Sequence, residues 1–487
     1  AGMNPTFLEF IGANQRSSCG YCKNDRGERT PARSAKKNAE TGEEDLTNGL
    51  EEELEVSSES SVTTGGAWAH SMTVNDYSGL LDVGWRRSGR YLYKPDNRVT
   101  CCPQYTIRLD VTKFKMSRSQ KRAMRQMNEF LATGKRPVCG IKEEDAPVEM
   151  NLKGSGSQSE QSKKNLKSHE VSTKKMKDAD RPVLTKKEIR NKKFEEKCRQ
   201  KNLDPDVVRT ERRQKDAARQ RTIQSYIDEA RPDWKHKLEV KLVSLGGDEF
   251  GTRDNESFEL YKNYQHTIHK DEDCRLAGFR RFLCDSPLKK EQRGGIELGS
   301  FHLWFLLDDK LIAVCVVDIL PKCFSAKYMY YNPEYSFLSL GTYTALREIE
   351  QTQRLHAIYS NLKYYYMGYY IHSCPKMRYK AKFRPSDLLC DQSFRWVDFN
   401  SCRDLLDGST CSNGFSEFCP GAPRPASPVV DTLLVFSNGS ITTLSDALTE
   451  IPEAAENEQF LANVRDLAHL VGPDLSRVVY YFNELNS

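Results

Sequence analysis

At 487 residues, 38% of them hydrophobic, the chain holds apolar material for two or three domains of roughly 150 residues each and leaves long stretches to solvent. It has no run of about 18 apolar residues, and residues 1–12 carry no basic stretch ahead of an apolar one, so a soluble, intracellular protein is the expectation. The net charge of +5 is too small to define a nucleic-acid binder, so only local clusters of Lys and Arg can do so.

Residues 1–138 read as an N-terminal cysteine-rich domain. Within it, from Lys23 to about Gly66, the sequence is polar, with Glu51, Glu52, Glu53 and Glu55 followed by a Ser-rich run. Such composition cannot bury enough apolar area to offset its ordering entropy, so residues 24–66 are expected to be a disordered insertion. Tyr91 to Tyr93 and Tyr105 to Val111 are predicted strands. A predicted helix from Ser117 to Leu131 places Met124, Met127 and Leu131 on one face and Arg118, Lys121, Arg122 and Arg125 on the other. Residues 139–234 are highly charged and thin in apolar side chains, and are expected to be a linker with helical patches such as Lys187 to Gln200.

Residues 235–411 carry an α+β pattern. Lys237 to Val243 alternates as a strand, Ser257 to Gln265 reads as a helix, and the apolar runs Phe301 to Leu307 and Leu311 to Leu320, parted by Asp308, Asp309 and Lys310, predict a hairpin. A strand from Ala326 to Tyr331 and a turn at Asn332, Pro333 and Glu334 follow. Next come a helix with Leu340, Tyr343, Leu346 and Ile349 on its buried face, and a strand from Tyr364 to Ile371. This order is the central unit of the acetyltransferase-like (GNAT-like) fold. Residues 412–487 open with a Pro- and Gly-rich loop and continue as a mostly helical tail.

The chain has 15 cysteines, which in an intracellular protein are thiols or metal ligands rather than a disulfide framework. Cys19 and Cys22 form a Cys-x-x-Cys pair, and Cys101 and Cys102 lie side by side before Pro103. Four thiolates suit a tetrahedral zinc or an iron-sulfur cluster. Consecutive side chains diverge on an extended chain, so a larger cluster accommodates the adjacent pair better than one ion, and the pattern leaves both open with the cluster favoured. Cys315, inside an apolar strand, reads as a small buried hydrophobe, and Cys374 as a core or loop thiol.

Two segments carry basic chemistry. Trp85, Arg86 and Arg87, with Arg90 and Tyr91, combine cations and aromatics as an RNA surface requires, and the helix at Ser117 adds its four cations. Lys376, Arg378, Tyr379 and Lys380 follow a strand end and could hold an acidic group, with Tyr369 nearby.

These residues together resemble the eukaryotic arginyl-tRNA-protein transferase family. The likeness rests on Cys19-Gly-Tyr-Cys22, Cys101-Cys102-Pro103 and Ser119-Gln-Lys-Arg122. It extends through Lys310-Leu-Ile-Ala-Val with Asp318-Ile-Leu-Pro321, Tyr335 to Gly341 with Ala345 to Ile349, and Tyr364 to Lys380 with Arg384 to Leu389. The chain departs from the family pattern at Glu297-Leu-Gly299, at Leu303-Trp304 and at Asn332. The resemblance implies an acetyltransferase-like catalytic domain and an iron-sulfur cluster on Cys19, Cys22, Cys101 and Cys102, with 4Fe-4S the favoured type and zinc the alternative. It implies arginyl-tRNA as donor, proteins with N-terminal Asp, Glu or oxidised Cys as acceptors, and degradation through ubiquitin as the outcome. Cytoplasm and nucleus are the expected compartments, and neither membrane nor DNA is an expected partner. Asp318 and Tyr369 are the catalytic candidates, Lys376, Arg378, Tyr379 and Lys380 the acceptor-binding ones, and Trp85, Arg86, Arg87, Arg118, Lys121, Arg122 and Arg125 the tRNA-binding ones. The competing expectation is a non-enzymatic RNA-binding or redox-sensing iron-sulfur protein; a coenzyme A acetyltransferase lacks support because its pyrophosphate loop motif is absent.

Overall fold

The two apolar runs flanking Asp308 and Asp309 pair antiparallel in the computed structural model, and both aspartates have positive φ (48° and 67°), as a two-residue hairpin turn of this hand requires. The structure describes residues 5–21, 61–136, 186–218, 221–472 and 477–486. Residues 1–148 and 223–487 form one unit, and residues 149–222 form a second.

In chain order the strands of the first unit begin with β1 (Phe7–Ser18), β2 (Ser61–Ser71), β3 (Arg86–Ser88), β4 (Tyr91–Pro95) and β5 (Tyr105–Asp110). They continue with β6 (Leu238–Ser244), β7 (Glu291–Arg293), β8 (Ile296–Leu307), β9 (Lys310–Ile319), β10 (Cys323–Tyr331), β11 (Tyr364–Tyr370), β12 (Ser386–Leu389) and β13 (Trp396–Asp398). The last are β14 (Leu434–Ser437), β15 (Ser440–Thr443) and β16 (Val479–Tyr481). One seven-stranded sheet has the order β15-β14-β16-β1-β2-β4-β3, and a nine-stranded sheet has the order β13-β12-β5-β11-β10-β9-β8-β6, with β7 on β8. With the helices packed on them, these mixed sheets make an α+β protein.

The pairing crosses the boundaries read at residues 138, 235 and 411. Strand β5 lies between β11 and β12, so the N-terminal segment supplies a central strand of the larger sheet. Strand β16 is parallel to both β1 and β14, so the tail, which also has helices such as Glu458–Val471, contributes strands to the smaller sheet. The insertion read as residues 24–66 is corrected at its end: β2 starts at Ser61 and pairs with β1 from Ser18↔Ser61 onward. Residues 24–60 lie outside the described residues. The stretch 223–234, read as linker, joins the first unit, because Ile223 and Tyr226 are buried in its core and Asn128 Nδ2 donates to the Tyr226 carbonyl (2.8 Å).

Strands β8 and β9 are apolar on both faces because both faces are covered. Leu303, Phe305, Ala313, Cys315 and Val317 join the core under the helix Leu340–Ile358, whose Leu340, Tyr343, Leu346 and Ile349 are buried as the spacing predicts. Trp304, Leu306, Val314 and Val316 point the other way, onto Leu260, Tyr261 and Phe279. The helix Arg118–Thr133 starts on a reciprocal Ser117–Gln120 capping box and stops at Gly134, whose φ of 67° ends the turn. In the second unit, the helices Lys186–Gln200 and Pro205–Ala218 are tied by Arg209, which bonds Glu195 (2.9 Å) and lies over the Phe194 ring (5.1 Å).

Candidate functional site

Cys19 follows β1 and Cys101 and Cys102 lie in the bend after β4, so the β1–β2 and β2–β4 pairings bring distant parts of the chain together. The sulfurs of Cys19, Cys101 and Cys102 all lie within 4.8 Å of one another, and the Tyr21 N–H points at Cys19 Sγ (3.4 Å). Cys22 lies outside the described residues. Three soft donors converging this closely fit a thiolate-bound metal or cluster. Cys374, read as a core or loop thiol, is buried against this group together with Ile371 and Met377. Its position in sequence carried no sign of that neighbourhood, since the contact is made only by folding.

The basic segments divide by burial. Trp85, Arg86 and Arg87 are 1%, 6% and 5% exposed, so they do not form an RNA surface. Trp85 Nε1 donates to the Leu470 carbonyl (3.0 Å), leaving its ring in the core. Arg87 is bound bidentately to Asp318 (Nε–Oδ2 2.9 Å, Nη2–Oδ1 2.5 Å) and to Ser300 Oγ (2.8 Å). Burial alone would raise the Asp318 pKa, but the charges of Arg87 and Lys327 and hydrogen bonds from Arg87 and Ser300 outweigh it and hold the carboxyl below its usual range. A carboxylate stabilised in this way is a poor proton acceptor, which removes Asp318 as the base and makes it the anchor of a buried ion pair. Tyr369 is likewise committed: its hydroxyl donates to the Gly84 carbonyl (2.8 Å), and burial pushes its pKa up. By contrast Arg118, Arg122 and Arg125 are exposed and Lys121 is half-buried, so this helix does present a cationic face. Just before it in the chain, Lys113 and Lys115 line a hollow of about 290 Å³ with Arg384.

Strands β10 and β11 are parallel but pair only at Cys323↔Tyr364, Phe324↔Tyr365 and Ser325↔Tyr366. Both break register there. In β10 the extra residue against β9 is Lys327, and in β11 the break against β5 falls between Tyr366 and Tyr369, at Gly368 with φ of 71°. Glycine, lacking a Cβ, takes that conformation at no steric cost. Parallel strands that part leave backbone groups and space for a ligand, and bulges of this kind recur beside active sites. Of the expected acceptor-binding residues, Lys376, Arg378 and Tyr379 are exposed, whereas Lys380 is buried and its Nζ donates to the Tyr369 carbonyl (2.6 Å), beside Gly368.

Three buried groups in this region titrate near neutrality. Burial, then Arg86, pushes the Lys380 amine down to about 7, and burial, then Arg87, does the same to Lys327, also to about 7. Burial pushes the Glu348 carboxyl up to about 7, partly offset by the hydrogen bond it accepts from Tyr365 Oη (2.6 Å). Such groups can exchange protons at neutral pH. Sequence reading missed Lys327 and Glu348, because neither a bulge nor the burial of a charged helix residue is visible in periodicity.

Residues 17–122 match a family model described as the N terminus of arginine-tRNA-protein transferase, and residues 256–390 match one described as its C terminus. The chain is 38% identical over 377 residues to arginyl-tRNA–protein transferase 1 of Drosophila melanogaster, covering 68% of this chain and 77% of that protein. It is 32% identical over 445 residues to arginyl-tRNA–protein transferase 2 of Arabidopsis thaliana, covering 70% and 72%. A shorter match, 38% over 149 residues, covers 30% of this chain and 56% of an aspartate/glutamate leucyltransferase of Pseudomonas fluorescens. The class defined by these likenesses is that of the aminoacyltransferases. Within it, this chain belongs to the arginine-tRNA-protein transferase family. Among the described residues no helix is long and apolar enough to cross a membrane.

Proposed function

We propose that the protein transfers arginine from arginyl-tRNA to the N-terminal α-amine of proteins beginning with Asp, Glu or oxidised Cys, and that this marks them for ubiquitin-dependent degradation in cytoplasm and nucleus. The observation that carries the reading is the parting of β10 and β11 with buried cationic chemistry beside it, in a chain of this family. An acetyltransferase-like fold is the corresponding architecture.

In the reaction, the acceptor amine attacks the ester carbonyl joining arginine to the terminal ribose; a tetrahedral oxyanion collapses to the amide and the ribose hydroxyl leaves. The ester is already activated, so the protein chiefly aligns two partners and keeps the amine neutral. A free α-amine has a pKa of about 7.7–8.0, and a group titrating near 7 is matched to accept its proton. The exposed cations Arg118, Arg122 and Arg125 and the half-buried Lys121, with Lys113, Lys115 and Arg384, are suited to phosphate contacts that position the tRNA without reading its sequence. Cys19, Cys101 and Cys102, with Cys22, would hold an iron-sulfur cluster of the 4Fe-4S type, or zinc as the alternative; a cluster would supply a redox-sensitive brace between β1 and the bend after β4.

The test is transfer of radiolabelled arginine from arginyl-tRNA to peptides starting with Asp, Asn or Ala, with anaerobically purified protein. Label on the Asp peptide alone supports the reading, and tRNA binding without transfer to any peptide overturns it.

A further inference from the structure

Two basic side chains that act on each other are buried at the end of β11, with no carboxylate partner among the described residues; of acidic groups, only the Cys374 thiol bears on Lys380 there. Arg86 is 6% and Lys380 9% exposed. The Arg86 guanidinium lies over the rings of Tyr369 (5.1 Å) and Tyr366 (6.0 Å). Its Nη1 donates to the Trp85 carbonyl (2.6 Å), but its Nε and Nη2, both buried, have no partner among the described residues. The carboxylate that shares the Tyr366 ring with it, Asp82, is taken up instead by the Tyr366 hydroxyl (2.5 Å) and Lys322 Nζ (3.3 Å). Lys380 Nζ bonds the Tyr369 carbonyl and lies 3.8 Å from where a side chain at Gly368 would begin. A buried guanidinium with two unmade hydrogen bonds, beside a second buried cation, is strongly unfavourable unless an anion completes it.

We infer that Arg86 and Lys380 form the pocket for the acidic side chain of the acceptor's first residue, with Arg86 Nε and Nη2 as its bidentate donors. This rests on the proposed transferase reading and replaces the exposed Lys376 and Arg378 as the specificity determinants. A planar guanidinium presenting two N–H groups matches a carboxylate or a sulfinate and offers nothing comparable to an amide, so Asp is selected over Asn. The Arg86 guanidinium lies over Tyr366, the last β11 residue paired with β10, and over Tyr369 beyond it, so the pocket sits where the two strands part.

The experiment uses the full chain with Arg86→Met, Lys380→Met and the milder Arg86→Lys. Two readouts are taken with peptides differing only in N-terminal Asp or Asn: arginine transfer from arginyl-tRNA, and calorimetric binding of the peptides without tRNA. Loss of hydrogen bonds to a charged group predicts that the preference for Asp over Asn falls about 10- to 100-fold in each methionine variant, with Arg86→Lys intermediate. A preference kept within about two-fold overturns the pocket. So does an equal fall toward both peptides accompanied by loss of protein-bound metal, which would make the two cations partners of the cysteine group. If the wild-type chain transfers no arginine but binds the Asp peptide through Arg86, the transferase reading fails and the pocket stands.

Discussion

Replacing Asp318 with Ala tests the reading of this residue as an anchor rather than a base. The Asp318 and Arg87 side chains are 0% and 1% exposed, so the substitution strands a guanidinium in the core with its strongest acceptor gone. Removing one partner of a buried pair destabilises by about 3–5 kcal/mol, whereas replacing both by apolar groups of similar volume is close to neutral. The assay is urea unfolding followed by tryptophan fluorescence, with Asp318→Ala, Arg87→Met and the double variant Arg87→Met/Asp318→Leu. The single variants should unfold at much lower urea, and the double variant should recover most of the difference, giving a coupling energy well above about 1 kcal/mol. Acid adds a second signature. The folded pKa of Asp318 lies below its unfolded value of about 3.9, so the stabilisation is fully present above that pH and is lost as pH falls through the folded pKa. Wild type should therefore lose stability below about pH 4 more steeply than Asp318→Asn. A cost under about 1 kcal/mol in Asp318→Ala, with transfer activity nonetheless abolished, would refute the anchor role and restore Asp318 as a reacting group.

Other outcomes follow from the same structure. Neutralising Arg118, Arg122 and Arg125 should weaken tRNA binding, reduce the slope of log affinity against log salt by roughly one for each phosphate no longer neutralised, and leave the melting temperature in place; an unchanged slope would move the tRNA elsewhere. Glu348 has a raised pKa, so wild type should lose stability as pH rises from about 4.3 to about 7, and Glu348→Gln should escape that loss; parallel pH profiles would contradict a buried ionisable carboxyl. Cys102→Ser should lower the metal or iron content of anaerobically purified protein, measured by elemental analysis, while an unchanged content would remove the Cys19–Cys101–Cys102 group as the binding site.

The sequence alone determined the local elements whose causes are local. The Asp308-Asp309 turn, the basic helix with its apolar stripe, and the buried face of Leu340, Tyr343, Leu346 and Ile349 all stand where patterning placed them, because side-chain periodicity and turn chemistry act over a few residues. The cysteine pairs were visible for a similar reason: thiols at such spacing have few uses. What only the tertiary structure decided was which of these residues meet. Strand β5 entered the larger sheet and β16 the smaller one through pairings between segments more than 250 residues apart in the case of β5 and β11, and no local signal records a pairing of that kind. The same step reassigned Trp85, Arg86 and Arg87 from an expected surface to the interior. Composition cannot distinguish an arginine that meets solvent from one enclosed between a strand and a ring of tyrosines; burial is a property of the assembled sheet.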